Sequence, residues 1–252
     1  MIVEPSWHLA LALVLLVSLA LAWSRLGRLG LERSVLVAAL RAAVQLLGVS
    51  LIIVAALTNV WGSVAFALVM FTVAVGSSAK RIEARRSWPW VALAMACGVL
   101  PVLAVIFLSG TTPFTGISIV PIAGIIIGNT MTGNTLVSRR AFASLREERG
   151  PYEAALSIGL ERSDAIREVI HRRTPEALFP NLDQTRTVGL VTLPGAFVGV
   201  LLGGGTPVQA GAAQLMVLLG VMAAQHGTVV TAERFISEAR LLPSDLKLAL
   251  RP

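Results

Sequence analysis

The apolar chain contains the run GNTMTGNT at residues 128–135, whose amides and hydroxyls are suited to contact a polar cargo. Its candidate cargo contacts are Asn129, Thr130, Met131 and Asn134. Small residues four apart, such as Gly128 and Thr132, are also typical of places where membrane helices touch, and amides form hydrogen bonds between such helices. Two interpretations follow: tight helix packing, or one face of a translocation path.

Arg41 and Gln45 are four residues apart in another apolar run, so they would share one face of a helix. An arginine inside a membrane is costly and often belongs to a functional site. A long side chain near the end of a span can instead carry its charge to the membrane surface. Both residues are therefore candidates for the translocation path, with surface extension or structural pairing of Arg41 as the alternative.

Pro194 and Gly195 interrupt a third apolar run. Proline removes a backbone donor and glycine permits unusual backbone angles, so a helix should bend or break here. The two residues are candidates for a hinge, or for a packing kink without movement.

Soft metal ligands are scattered along the chain, and no two have a spacing that defines a site. They are Cys97, Met131, Met216, Met222 and His226. The single cysteine excludes a disulfide framework and a thiolate zinc cluster. We interpret these residues as core residues, and neither a metal site nor a cofactor is predicted.

Catalytic motifs are absent from the sequence. The only lysines, Lys80 and Lys247, follow no glycine-rich loop, so no Walker A loop for ATP is present, nor is an HExxH or GxSxG motif. The acidic residues all lie outside the predicted spans, which removes the buried carboxylates that many secondary transporters use as a proton relay. The chain itself is not predicted to be an enzyme.

The elements that must position these side chains are membrane spans. With 55% hydrophobic residues, 14% charged residues and a mean hydropathy of +0.78, the chain has too little polar surface for a soluble domain. We predict an all-α, multi-pass integral membrane protein with about seven transmembrane helices. The apolar segments are 7–23, 35–57, 61–79, 88–108, 115–137, 187–203 and 211–230.

Basic residues occur in alternate connections, which sets the predicted orientation. Apart from Arg41, every Lys and Arg follows the first, third, fifth or seventh segment, and the intervening connections have none. The positive-inside rule then places the amino terminus outside and the carboxyl terminus in the cytoplasm, and it explains the net charge of +7 without nucleic acid. A cleaved signal peptide at 20–22 is the alternative for the first segment, but its positive charge follows the apolar run.

Residues 138–186, here called the polar segment, form the only long polar stretch. Its charges alternate in sign and recur at helical spacing, which predicts a folded, cytoplasmic helical coupling segment within a single permease domain, 1–252. A helix is predicted from Pro151 to near Arg173, with a second, shorter helix after Thr174 and Pro175. Such a module between spans indicates contact with another protein.

An EAA-x3-G spacing lies in the polar segment, and small residues on a short helix allow a partner to approach closely. Here the chain resembles ABC-transporter permeases, whose coupling helix docks on the ATPase subunit; the family's downstream I-x-L-P is not found at 169–172. The docking residues that this resemblance implies are Glu153, Ala154, Ala155, Gly159 and, further along, Ile166.

Two flanking runs narrow the resemblance: PIAGIIIGNTM at 121–131 and TVGLVTLPG at 187–195. They are similar to the signature of a seven-span iron-export ABC permease family, which includes plant membrane subunits involved in aluminium tolerance. The resemblance implies a cell inner-membrane half-transporter in metal homeostasis: a homodimer of permease chains, surrounded by lipid, with two separately encoded ATP-binding subunits.

The function implied is export of iron, another metal ion or a metal-linked solute by alternating access. Closure of the ATPases would move the polar segment and rock the adjoining fifth and sixth spans. The alternatives are a non-transporting receptor or scaffold and an ATP-independent secondary transporter. A neighbouring gene for a lone ATPase would distinguish the first function from both alternatives.

Overall fold

A computed structural model describes residues 6–250, and the chain divides into two compact units, Met1–Thr58 and Asn59–Pro252. The regular structure of residues 6–250 is helical, apart from one isolated bridge between Val188 and Thr192. The all-α class is therefore confirmed. A single permease domain over 1–252 stays a prediction, and its ends, 1–5 and 251–252, lie outside the described residues.

The first unit consists of α1 (Trp7–Leu26) and α2 (Glu32–Leu57). One serine closes the connection between these helices. The Ser24 hydroxyl donates to Glu32 Oε1 at 2.9 Å and accepts from the Leu31 N–H at 3.3 Å. The end of α1 is thereby joined to the first turn of α2.

The second unit contains the remaining nine helices described within residues 59–250. They are α3 (Val60–Arg81), α4 (Trp88–Leu108), α5 (Gly116–Glu147), α6 (Arg149–Ser157), α7 (Arg162–His171), α8 (Phe179–Thr187), α9 (Gly195–Leu202), α10 (Pro207–Ser237) and α11 (Ser244–Ala249). In its core, α10 packs on α4 and α5, and α3 packs on α5. Gly98 of α4 lies tightly against α10, because a Cβ added there would lie 2.2 Å from the Ala224 carbonyl.

Six helices of the described chain are long and apolar enough to cross a membrane, so the predicted count of seven is not confirmed. The segment predicted at 187–203 accounts for the difference. Its helix α9 has eight residues, about 12 Å at 1.5 Å per residue, against a hydrocarbon core of roughly 30 Å. The predicted interruption is present, because α9 begins at Gly195 with Pro194 as its N-cap.

The polar segment is built differently from the prediction in one respect. The single helix predicted from Pro151 to near Arg173 is wrong, because Gly159 divides it into α6 and α7. Gly159 has φ +91°, and the next N–H, that of Leu160, donates back to the Ala155 carbonyl at 3.1 Å. A left-handed glycine with this hydrogen bond ends a helix and turns the chain.

Candidate functional site

A cavity of about 350 Å³ in the second unit is the clearest candidate for a cargo site. Four elements meet there: α5, α8, the start of α9 and α10. Its polar lining consists of four carboxamides, Asn129, Asn181, Gln184 and Gln214. Apolar side chains and the Pro194–Gly195 break complete the wall of this amide cavity. Candidates from two separate sequence patterns, Asn129 and Pro194–Gly195, are thus brought to one place.

The helix break at Pro194 is tied to the opposite wall of the amide cavity. A helix start leaves N–H groups without partners inside the helix. One of these, the Phe197 N–H, donates to Gln214 Oε1 on α10 at 3.2 Å. A single glutamine therefore lines the cavity and anchors the beginning of α9.

Three carboxamides of the amide cavity, those of Asn129, Asn181 and Gln184, have a side-chain oxygen that accepts no hydrogen bond from residues 6–250. Asn129 uses its Nδ2 to donate to the Ile125 carbonyl at 2.8 Å, and its Oδ1 accepts from none of the described residues. Asn181 is buried, and its Oδ1 likewise lacks a partner among residues 6–250. Neutral oxygens of this kind suit a hydrated cation or a polar solute in transit.

Asn134 lies in a different environment, between α3 and α5. Its Nδ2 donates to Ser78 Oγ at 2.9 Å, and Ser78 Oγ lies 3.0 Å from Thr135 Oγ1. Asn134 and Ser78 are fully buried. This cluster joins two helices by hydrogen bonds, which is the packing role that the sequence left open for it.

The other path candidates do not line the amide cavity. Thr130 is buried and donates to the Ile126 carbonyl of its own helix, while Met131 packs against the hydrophobic core. Arg41 and Gln45 lie on α2 in the first unit. Both are exposed, and neither side chain makes a hydrogen bond or ion pair within residues 6–250. A role for these residues in transport stays a prediction.

The soft metal ligands do not gather into a site within residues 6–250, where no group of three or more His, Cys, Asp or Glu side chains could hold a metal ion. Met216 accepts hydrogen bonds from Thr111 and Thr112, each at 3.6 Å. Cys97 and His226 are exposed, so the interpretation of these two as core residues is wrong. The His226 Nδ1 lies 2.7 Å from the Met222 carbonyl.

The polar segment is attached to α5 and α10. Its helix α7 packs on both and buries Ala165, Ile166, Val169 and Ile170. At its end, His171 Nδ1 lies 2.7 Å from Glu233 Oε1 on α10. An ion pair between Arg140 and Glu176 joins α5 to the 3₁₀ turn before α8. The segment therefore forms a packed extension of these two helices.

Helix α6 presents one face of the polar segment outward. Tyr152 and Ala155 are buried on its inner face. Its outward residues are Glu153, Ala154, Ser157 and the following Ile158 and Gly159. Ile158 is 80% exposed, although a side chain of this type is normally buried. Of the predicted docking residues, Ala155 and Ile166 thus belong to the core of this chain, while Glu153, Ala154 and Gly159 are accessible.

Sequence reasoning missed Asn181, Gln184 and Gln214. The sequence did contain a signal for Gln214. Gln214 and Gln225 are eleven residues apart in an apolar run, which is about three helical turns, so both lie on one face of a helix. Gln225 Nε2 donates to the Asn129 carbonyl at 2.9 Å, so this face does contact α5 beside the amide cavity.

The chain is similar to membrane proteins of one family. Residues 6–240 match the model of an uncharacterised protein family, UPF0014. The chain is 32% identical to the rice UPF0014 membrane protein STAR2, covering 82% of this chain and 74% of that one. It is 32% identical to a probable iron export permease protein, FetB, of Escherichia coli K12, covering 83% of this chain and 82% of that protein. It is 29% identical to the Arabidopsis thaliana protein ALUMINUM SENSITIVE 3, covering 56% of this chain and 51% of that protein. No solved structure matches.

Proposed function

Since this chain belongs to the uncharacterised protein family UPF0014, a family of multi-pass membrane proteins, we propose that it is the permease subunit of an ABC transporter. A separate ATP-binding subunit would supply the energy. The cargo is iron, another metal ion or a metal-linked solute, moved outward, in keeping with the name of the Escherichia coli relative.

One observation supports the proposal: the polar segment has an exposed face near its beginning and lines the amide cavity near its end. Its first helix, α6, presents the exposed face with Ile158. Its last helix, α8, supplies Asn181 and Gln184 to the amide cavity. A force applied to α6 can therefore reach the cavity through elements of the same segment.

The docking surface we propose is the outward face of α6 together with Ile158. A partner that covers an isoleucine removes its apolar area from water, which is worth about 1.5–3 kcal/mol when burial is complete. Ala154 and Ser157 are small enough to let a partner backbone approach closely. Gly159 supports this surface by ending α6, because its φ of +91° directs the chain away after Ile158.

Transmission would run from α6 through α7 to the bundle. Because α7 buries four apolar residues and packs against α5 and α10, displacement of the polar segment must move these helices or break that packing. Both helices contribute walls of the amide cavity. The mechanism is alternating access, in which ATPase closure changes the side from which the cavity is open.

The chemistry of the amide cavity fits transit of the cargo better than storage. Carboxamide oxygens bind cations through their dipoles without a formal charge, so they release a cation more readily than a carboxylate or thiolate cluster does. A transporter needs a site that is favourable enough to enter and weak enough to leave. A scaffold that only recruits partner proteins would have no need of such a cavity.

The test of the docking surface is the variant Ile158→Asp in the chain purified with its ATP-binding subunit. We expect co-purification to fall about 10- to 100-fold, because a charge replaces the apolar contact. Ala249→Asp adds the same charge at an exposed position of α11 and serves as the matched control. Unchanged co-purification and cargo-stimulated ATPase activity in Ile158→Asp would exclude α6 as the docking element.

A further inference from the structure

A second cavity, an open groove of about 860 Å³, lies where α3 ends and α11 begins. It is separate from the amide cavity, with which it shares no lining residue. Its charged lining is strongly one-sided, with four cations and one carboxylate. The cations are Lys80, Arg85, Arg86 and Lys247, and the carboxylate is Glu83. We call this cavity the basic groove.

The local fold holds the basic groove in shape. After α3, Glu83 takes a left-handed turn at φ +59°, and a 3₁₀ turn at Arg85–Ser87 leads into α4. Buried Ser87 donates to the Leu242 carbonyl at 3.2 Å, and Lys247 Nζ lies 3.3 Å from Ser87 Oγ. The turn between α3 and α4 and the chain around α11 are thereby joined into one surface.

The cations of the basic groove lack internal neutralisation. None of the four has a carboxylate oxygen within 4.0 Å among residues 6–250. The nearby Asp245 is engaged elsewhere, since Arg146 Nε lies 2.9 Å from its Oδ2. That hydrogen bond lowers the pKa of Asp245. The groove thus keeps a surplus of three positive charges.

The surroundings of the basic groove indicate what neutralises it. The groove begins at the end of one membrane-spanning helix, α3, and adjoins the start of another, α4. Trp88, the first residue of α4, is 57% exposed, and Leu248 on the groove wall is 62% exposed. Tryptophan is enriched at membrane–water boundaries, and basic pockets at helix ends bind anionic lipid headgroups. A charged floor beside exposed apolar side chains therefore matches an amphiphile better than a free anion.

We propose that the basic groove binds the phosphate headgroup of an anionic phospholipid, such as phosphatidylglycerol, with its acyl chains against the exposed apolar side chains. The bound headgroup bridges the α3–α4 turn and α11. The tail is itself joined to the polar segment, because Arg146 on α5 pairs with Asp245 and the Tyr152 hydroxyl on α6 donates to the Leu250 carbonyl at 3.3 Å. The headgroup would therefore link the α3–α4 turn to the polar segment through α11.

The test is native mass spectrometry of the full chain, purified in detergent and supplied with phosphatidylglycerol or phosphatidylcholine. The wild-type chain should retain phosphatidylglycerol in preference. Each cation near an anionic surface changes the affinity about fivefold. We therefore expect an affinity for phosphatidylglycerol roughly a hundredfold lower in the triple variant Arg85→Gln, Arg86→Gln, Lys247→Gln. The control is a second triple variant that removes the same charge from exposed positions: Arg149→Gln on α6, Arg167→Gln on α7 and Arg172→Gln directly after α7. This control variant should retain the lipid.

Three results would overturn the proposal. They are equal retention of the two lipids by the wild-type chain, equal loss of lipid in both triple variants, and displacement of phosphatidylglycerol by millimolar inorganic phosphate, which would identify a free anion as the ligand. If the first triple variant fails to fold, Arg86→Gln is measured alone, because the Arg86 side chain is exposed and makes no hydrogen bond or ion pair within residues 6–250. It should weaken retention about fivefold, and wild-type retention in this variant would also contradict the lipid site.

Discussion

Two asparagines of α5, five residues apart, should respond differently to the same substitution. Asn129 lines the amide cavity, whereas Asn134 is fully buried and bonded to Ser78. Asn129→Ala should reduce transport-dependent metal tolerance while the amount of protein in the membrane stays near normal. Asn134→Ala should lower the free energy of unfolding by about 1–3 kcal/mol, because the Ser78 hydroxyl loses the hydrogen bond that Asn134 Nδ2 donates to it. Growth on excess metal, membrane abundance and melting temperature are measured together.

Gln225→Leu is the comparison for this pair, since Gln225 contacts the Asn129 backbone but does not line the amide cavity. Gln225→Leu should lower the melting temperature and leave the transport-dependent metal tolerance near that of the wild type. A loss of abundance in Asn129→Ala that parallels its loss of tolerance would assign Asn129 to packing and remove it from the path.

Gly98 should be the glycine least tolerant of a methyl group. A Cβ there would lie 2.2 Å from both the Ala224 carbonyl and Thr228 Oγ1, so α4 and α10 would have to separate. Overpacking of this kind costs about 1–3 kcal/mol. Gly128→Ala is the matched control, because nothing lies within 4 Å of its added Cβ and alanine favours a helix. Thermal unfolding of both variants measures the difference, and an equally stable Gly98→Ala would contradict this helix contact.

At the level of elements, the short helix α9 raises a question of topology. By the positive-inside rule, the basic residues still predict that the 204–210 connection is outside and the tail in the cytoplasm, although α9 alone is too short to cross. We therefore expect the chain from Thr187 to Leu202 to complete the crossing with its non-helical part, which is tolerated at membrane depth where protein or a cavity surrounds it.

Single-cysteine labelling tests this topology in a Cys97→Ser background. An impermeant thiol reagent added to sealed right-side-out vesicles should label Thr111→Cys and Thr206→Cys but not Ala249→Cys. Labelling of Thr111→Cys without Thr206→Cys would show that the segment does not cross.

Most elements were predictable because their signal is local. Hydropathy over about 20 residues located the six long helices, and the break at Pro194 followed from the chemistry of one side chain. The division at Gly159 was missed because helical charge spacing continues across it, although a glycine is where a left-handed turn is easiest. The length of α9 was missed because apolar composition is the same in a short helix and a spanning one.

The candidate site was predictable only in part. Asn129, Pro194 and Gly195 were found from local patterns, but their meeting with Asn181, Gln184 and Gln214 depends on how distant helices pack. The burial of Ala155 and Ile166 was hidden for the same reason: a docking motif and a core-facing helix stripe look alike in sequence.

At the scale of the whole molecule, three surfaces have proposed roles: α6 for an ATP-binding subunit, the amide cavity for cargo and the basic groove for lipid. The polar segment contributes to the first two, which is why it is central to the proposed coupling. The half-transporter we propose needs a second copy of this chain, so cross-linking in native membranes should yield a dimer.

The most direct test of the central claim is transport in proteoliposomes that contain this chain with or without the ATP-binding subunit from the same genome. With Fe²⁺ as the cargo probe, we expect ATP-dependent movement only when both subunits are present, and a strong loss with Ile158→Asp or Asn129→Ala. Movement of Fe²⁺ by this chain alone without ATP would contradict the account, as would the absence of ATP-dependent movement of any metal ion by the assembled pair.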